Sequence, residues 1–206
     1  MRVAVVSDIH GNLCALEAVL AALEPERPDE LWCLGDLVGY GARPNECCSV
    51  IEARASICLA GNHDLAVRGT IDLAEFSGDA GAAASWTRSV LSDEAAITTL
   101  VLTDEPIVLV GHSHVALQVS MTDELLEGGP SSAGTQLELG SRRWLMNPGS
   151  VGQPRDGDPR AAFLLLDLDA RTASFHRVDY DIERTQREIR EAGLPEALAA
   201  RLSAGL

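Results

Sequence analysis

An α/β fold follows from three features of the sequence. Short apolar runs alternate with helix-spaced segments as β-α-β-α-β up to Asp64, the order of a sheet with helices on its faces. Each apolar run ends in a loop rich in Gly, Asp, Asn or His. From Ala116 the apolar period shifts from about 3.6 towards about 2, so consecutive strands follow.

The first strand is Val3-Ala4-Val5-Val6, and it runs into Ser7-Asp8-Ile9-His10-Gly11-Asn12. Leu13, Leu16, Val19, Leu20 and Leu23 repeat at helical spacing, and Pro25 and Pro28 end that helix. Residues 30–34 form the second strand, which exits into Gly35-Asp36. Pro44 suits an early helical position, and the helix continues to Ala53. Residues 56–60 form the third strand, followed by Gly61-Asn62-His63-Asp64. Residues 72–98 read as helical, in two pieces, with Ser92 able to cap the second. Ile107-Val108-Leu109-Val110 is a fourth buried strand, ending in Gly111-His112-Ser113-His114. Residues 116–121, 136–139, 143–146, 161–167 and 173–179 are strands, with a turn at Asn147-Pro148-Gly149-Ser150. Helices over 182–192 and 195–203 close the chain. No repeat or linker interrupts it, so residues 1–206 form one domain.

Composition narrows the function. At 206 residues, 46% apolar and 23% charged, the chain is an ordinary globular protein with a substantial core. A net charge of −15 argues against a general nucleic-acid or anionic-membrane surface, although bound metal ions can reverse the field locally. No run is long enough for a signal peptide or membrane span, which predicts a cytoplasmic protein. The five cysteines form no C-x-x-C pair and are read as buried free thiols in a reducing compartment.

Chemistry concentrates at the strand exits. Asp8, His10, Asp36, Asn62, His63, His112 and His114 all lie there, including four of the five histidines. Asp8 and His10 sit at i and i+2, so their side chains leave the same side of an extended chain. Carboxylate oxygens and imidazole nitrogens offered together suit a divalent transition metal. His176, in a strand, reads as structural. Arg43, Arg142, Arg143 and Arg155 are loop or strand-edge cations that could touch a phosphate, and they read as solvated surface charges in preference.

The ordered series Asp-x-His, Gly-Asp, Gly-Asn-His-Asp and Gly-His-Ser-His resembles the calcineurin-like metallophosphoesterases, in particular their small bacterial and archaeal phosphodiesterase-type branch. Gly39-Tyr40-Gly41 and Asn147-Pro148-Gly149-Ser150-Val151-Gly152 also resemble family features. The resemblance implies a four-layer α/β/β/α sandwich of two mixed sheets with the cleft at the strand ends. It implies two divalent metal ions, Mn²⁺ foremost, with Fe²⁺, Zn²⁺, Ni²⁺ or Co²⁺ as alternatives. Asp8, His10, Asp36 and His114 would hold the first, and Asp36, Asn62 and His112 the second, with Asp36 bridging. Such a pair activates water for in-line attack on phosphorus in a small phosphoester. His63 would assist the leaving oxygen, and Asp64 would orient His63 or cap a turn.

One family feature is missing. Relatives carry a further metal-binding histidine in a Val-His-Gly-like strand end, but no histidine falls between His63 and His112. The interval is short, a strand near residues 100–104 is expected to be absent, and Asp104 or Glu105 is the available substitute. The second metal site is therefore expected to be weak. The competing reading is a binding or scaffold module of the same fold, with one metal or none.

Overall fold

The computed structural model describes residues 1–67, 105–122 and 125–206. The helices expected over 72–98, the gap expected near 100–104 and Asp104 lie outside the described residues.

In chain order the elements are β1 (Arg2–Val6), α1 (Leu13–Leu23), β2 (Glu30–Cys33), α2 (Pro44–Arg54), β3 (Ile57–Cys58), α3 (Asn62–Val67), β4 (Ile107–Leu109), β5 (Leu117–Thr122) and β6 (Leu125–Pro130). They continue as β7 (Gln136–Glu138), β8 (Arg143–Asn147), β9 (Ala161–Asp167), β10 (Thr172–Val178), α4 (Ile182–Glu191) and α5 (Glu196–Ala200), with a 3₁₀ turn at Arg201–Ser203. They build two mixed sheets, ordered β3-β2-β1-β9-β10-β7 and β4-β8-β5-β6. The architecture is the expected sandwich.

Alternation along β1 explains how the layers meet. Successive side chains of a strand point to opposite faces. Ala4 and Val6 pack with Leu16, Val19, Cys47 and Ile51 of α1 and α2, whereas Val3 and Val5 pack with Trp144 and Met146 of the second sheet. β1 is buried on both faces because it carries apolar residues on both. It pairs parallel with β2 and antiparallel with β9.

α1 starts where Asn12 caps it, its side chain accepting from the Ala15 N–H at 3.1 Å. The same Asn12 oxygen accepts from Thr185 Oγ at 3.1 Å, which ties α4 to the beginning of α1.

Four expectations need correction. The third strand is only Ile57–Cys58 and lies at a sheet edge, with Ile57 42% and Leu59 53% exposed. The thiols are not uniformly buried: Cys14, Cys33 and Cys47 are, Cys48 is half-buried and Cys58 is exposed on that edge. β4, also at an edge, is half-buried rather than buried. Finally β6, with Gly128, Gly129 and Pro130, has no strand-like sequence, yet it pairs antiparallel with β5. An edge strand tolerates glycine and proline because one side of its backbone needs no partner.

Among the described residues no helix is long and apolar enough to cross a membrane.

Candidate metal centre

The exits of β1 and β2 are laced together beyond the strands themselves. Asp8 N–H donates to Gly35 O at 3.0 Å, His10 N–H to Asp36 O at 2.9 Å and Gly11 N–H to Leu37 O at 2.8 Å. From the other side, Val151 and Gly152 N–H donate to the carbonyls of Ser7 and Asp8, each at 3.0 Å. Asp8, His10, Asp36, His112 and His114 all take left-handed backbone, with φ of 55°, 50°, 53°, 72° and 58°. That conformation costs a non-glycine residue about 1–2 kcal/mol, and such strain gathers at functional sites. Here it brings five strand-exit residues to one place.

Asp8, His10 and His114 form the tightest group, buried, with one ligand atom from each lying within 4.8 Å of the others. His10 Nδ1 is 3.0 Å from Val38 O, and His114 Nδ1 is 2.6 Å from Gln153 O. A carbonyl only accepts, so each Nδ1 carries the hydrogen. Burial, the largest cause in both rings, and nearby positive groups hold the two imidazoles well below their ordinary pKa. Both are thus neutral, and each Nε2 presents a bare lone pair. Those two nitrogens face each other at 3.0 Å. Asp8 Oδ1 lies 3.5 Å from His114 Nε2 and 3.9 Å from His10 Nε2. Burial raises the Asp8 carboxyl to about 7.

The two lone pairs have nothing to donate to each other, and the Asp8 carboxylate, once ionised, has nothing to donate to either. A cation among them satisfies all three. Nitrogen ligands about 2.0–2.1 Å from one metal stand roughly 3 Å apart, the separation found here. The residues fit a divalent metal, and the hydrogen bonds on Nδ1 fix ring orientation as metal-bound histidines require.

Asp36, Asn62 and His112 gather beside that group. Asp36 Oδ1 accepts from His63 N–H at 2.9 Å, and burial raises its carboxyl. His112 Nδ1 lies 3.1 Å from Asn62 Oδ1 and 4.0 Å from Asp36 Oδ2. The His112 N–H donates to both Asp8 oxygens at 3.0 Å, so the His-Ser-His segment braces the first group as well. The His112 side chain is 69% exposed, in contrast to the buried imidazoles. Gly61 is needed for close approach: a Cβ there would stand 2.1 Å from Asp36 Oδ1.

The His63 ring packs 4.6 Å from Tyr40 and 4.8 Å from His10. Burial first, then the Arg155 and His112 charges, bring its pKa down to about 4. The Asp64 carboxylate accepts from Leu37, Val38 and Gly61 N–H at 3.0, 3.2 and 2.9 Å. Those bonds tie the Asp36 loop to the start of α3, the turn-capping alternative for this residue. Glu105, just before β4, belongs to no metal-binding group among the described residues.

Three contributors were given no role at the site by the sequence reading. Tyr40, between two glycines, packs 4.6 Å from His10. Gln153 anchors His114 through its carbonyl. Arg155 is not a simple surface charge: its guanidinium lies over Tyr40, 5.6 Å from the ring centroid. Arg43 and Arg142 do pair with surface carboxylates. His176 stacks on Phe163 and bonds Ser174, a structural role.

Residues 1–171 match the family described as the calcineurin-like phosphoesterase superfamily domain. The chain belongs to that superfamily. It is 33% identical to the uncharacterized protein MJ0912 of Methanocaldococcus jannaschii over 244 residues, with 98% of each chain covered. That alignment is longer than this chain of 206 residues, so the relative has segments with no counterpart here. A metallophosphoesterase from Sphaerobacter thermophilus superposes with a TM-score of 0.83 at 36% identity, over 100% of both chains. A novel archaeal phosphodiesterase shares the fold at 14% identity and a TM-score of 0.51, over 86% of this chain and 100% of its own. Membership of this superfamily implies divalent metal ions and phosphoester hydrolysis.

Proposed function

We propose that the chain is a metal-dependent phosphodiesterase or phosphatase with a dinuclear centre, acting on a small phosphoester in the cytoplasm. The observation that carries this reading is the pair of bare Nε2 atoms 3.0 Å apart beside Asp8. Asp8, His10, Asp36 and His114 would hold one metal, and Asp36, Asn62 and His112 the other, with Mn²⁺ the foremost candidate over Fe²⁺, Zn²⁺, Ni²⁺ or Co²⁺. Bound there, the metals would lower the pKa of a water and offset charge on phosphoryl oxygens. Asp36 joins the two groups because a carboxylate has two oxygens to offer, and the loop that presents it is held by Asp64. His63, kept neutral by burial, acts as a hydrogen-bond donor to the leaving oxygen. Asp64 is a positioning residue in this scheme. The chain's negative charge leaves no general surface for nucleic acid or anionic membrane.

The missing histidine between His63 and His112 favours a second reading, a scaffold of the same fold with one metal or none. Protein purified without chelator is assayed for metal content, then for bis-p-nitrophenyl phosphate hydrolysis with added Mn²⁺. Bound metal with Mn²⁺-dependent turnover supports the enzyme. Bound metal without turnover, or no metal at all, supports the scaffold.

A further inference from the structure

Two of the five thiols face each other at the edge of the larger sheet. β3 pairs parallel with β2, and the register sets Cys58 directly opposite Cys33. Backbone bonds fix that register on both sides: Ser56 N–H donates to Leu31 O at 3.0 Å, and Leu59 N–H to Cys33 O at 2.9 Å. Residues opposite each other in neighbouring strands share a face of the sheet, with strands about 4.8 Å apart. A disulfide spans Cα separations of about 4.4–6.8 Å, so this pair needs no rearrangement of the sheet to be bridged. The other three thiols lie on helices, Cys14 on α1 and Cys47 and Cys48 on α2.

The paired thiols differ in access. Cys33 is fully buried, packed in the core with Cys47 and Ile51 of α2, whereas Cys58 is exposed. An oxidant in solution therefore meets Cys58 first, with Cys33 directly behind it. A solvent-accessible thiol with a second thiol in reach is the arrangement found in redox-responsive proteins. The hydrogen bond between the two points the same way: the Cys33 thiol donates to Cys58, which favours thiolate at Cys58 against burial and the Asp64 carboxylate, and raises Cys33. β3 can follow the closure of a bond because it is two residues long and lies at the sheet edge.

We infer that Cys58 is a peroxide-reactive thiol and Cys33 its resolving partner, the two forming a reversible disulfide across β2 and β3. The Cys58 sulfur attacks one oxygen of hydrogen peroxide, the O–O bond breaks, and the thiol proton leaves with the other oxygen as water. Cys58 is then a sulfenic acid. The Cys33 sulfur attacks the Cys58 sulfur, and the Cys33 proton departs with the sulfenic hydroxyl as a second water. The two thiols are oxidised, the peroxide is reduced, and a dithiol reductant reverses the step by exchange. The bond stands three residues before Asp36 and four before Asn62. The loops after the two strands touch, since a Cβ on Gly35 would stand 2.4 Å from Gly61 N. Oxidation thus ties together the strand exits that carry Asp36 and Asn62. The inference is independent of what the metal centre does.

The test treats the folded full chain with stoichiometric hydrogen peroxide, then denatures it and titrates its free thiols. The count should fall from five to three and return to five with dithiothreitol. Proteolysis of the oxidised chain should release one cross-linked pair of peptides, bearing Cys33 and Cys58. C58S should keep all four of its thiols through the same treatment. C33S should lose one thiol, trapped by dimedone as the sulfenic acid, and C48S should form the bond as the unaltered chain does. Five thiols surviving in the unaltered chain overturn the inference, and so does a cross-link from Cys58 to Cys48 or between two chains. If C33S, which is changed in the core, does not fold, the exposed-site variant C58S and the peptide map decide.

Discussion

Five side chains at this centre depend on a backbone conformation that their residue types disfavour, and the surrounding hydrogen bonds hold them in it. Asp36 shows what that placement achieves. Its Oδ1 is already committed to the His63 N–H, and an amide oxygen would serve that bond equally well. D36N should therefore keep the fold yet lose the charge shared by both metal groups. Metal content and turnover should fall together, and a variant with full metal and full activity would refute the bridging role. His63 should behave differently. H63A should retain its metal while kcat falls by about 10²–10⁴, the usual scale of proton or hydrogen-bond assistance. Loss of metal in H63A would make it a ligand instead. The buried histidines also set a pH dependence in protein stripped by chelator. His10, His63 and His114 have folded-state pKa values below their unfolded value of 6.5, His63 at about 4. Their contribution is complete above pH 6.5 and is lost as pH falls towards the folded values. Asp8 and Asp36, raised by burial, act in the opposite sense. Three histidines outweigh two carboxyls, so the unfolded chain takes up more protons and stability drops. The Tm of the metal-free protein should decline from pH 7 to pH 5, and a flat or rising Tm would contradict this account.

At the scale of elements, the loop after β8 matters as much as any strand. It lies on the exit of β1 through two backbone bonds, and Gly152 allows the contact: a Cβ there would stand 1.9 Å from Ile9 O. G152A must push this loop outward, away from Asp8, and with it Gln153, the partner of His114. Thermal unfolding should show a loss of about 1–3 kcal/mol, the usual range for overpacking, together with weaker metal binding. Unchanged stability and metal affinity would mean that the loop adapts freely. The sequence identified the turn at Asn147-Pro148-Gly149-Ser150 because its residues are turn formers, but nothing in residue type shows which strand a turn will cover. The same limit explains the other differences. The strands of the first sheet and helices α1, α2 and α4 were legible because their apolar positions repeat with the right period. β6 was not, since an edge strand can be built from Leu, Gly and Pro without a pattern. The residues that gather at the candidate metal centre were legible as residue types at strand exits. Tyr40 and Arg155 were not, because a ring stack joins loops that are far apart in the chain.

For the molecule as a whole, the two sheets and the two proposed metal groups are unequal in the same direction. The first group stands on β1, in the middle of the larger sheet, and on His114, whose ring is fixed by the buried Gln153. Its side chains are buried and its two rings are held by backbone carbonyls, so ordering of side chains costs little on binding. The second group combines Asp36 with Asn62, which follows the edge strand β3, and with an exposed His112 next to the edge strand β4. In the proposed assignment it has fewer protein ligands, and no histidine between His63 and His112 is there to add another. Losing one ligand should weaken affinity at least as much as the roughly 10- to 100-fold loss known for groups that only support a ligand. The chain's charge of −15 draws divalent cations to both groups and thus does not level the difference. Calorimetric titration of chelator-stripped protein with Mn²⁺ should show two steps, one tight and one at least ten times weaker. Turnover should continue to rise with Mn²⁺ well beyond the first step, since both groups are needed to clamp a phosphoryl group. Two equally tight steps would show that a further residue completes the second group, and activity saturating with the first step alone would show that a single metal suffices.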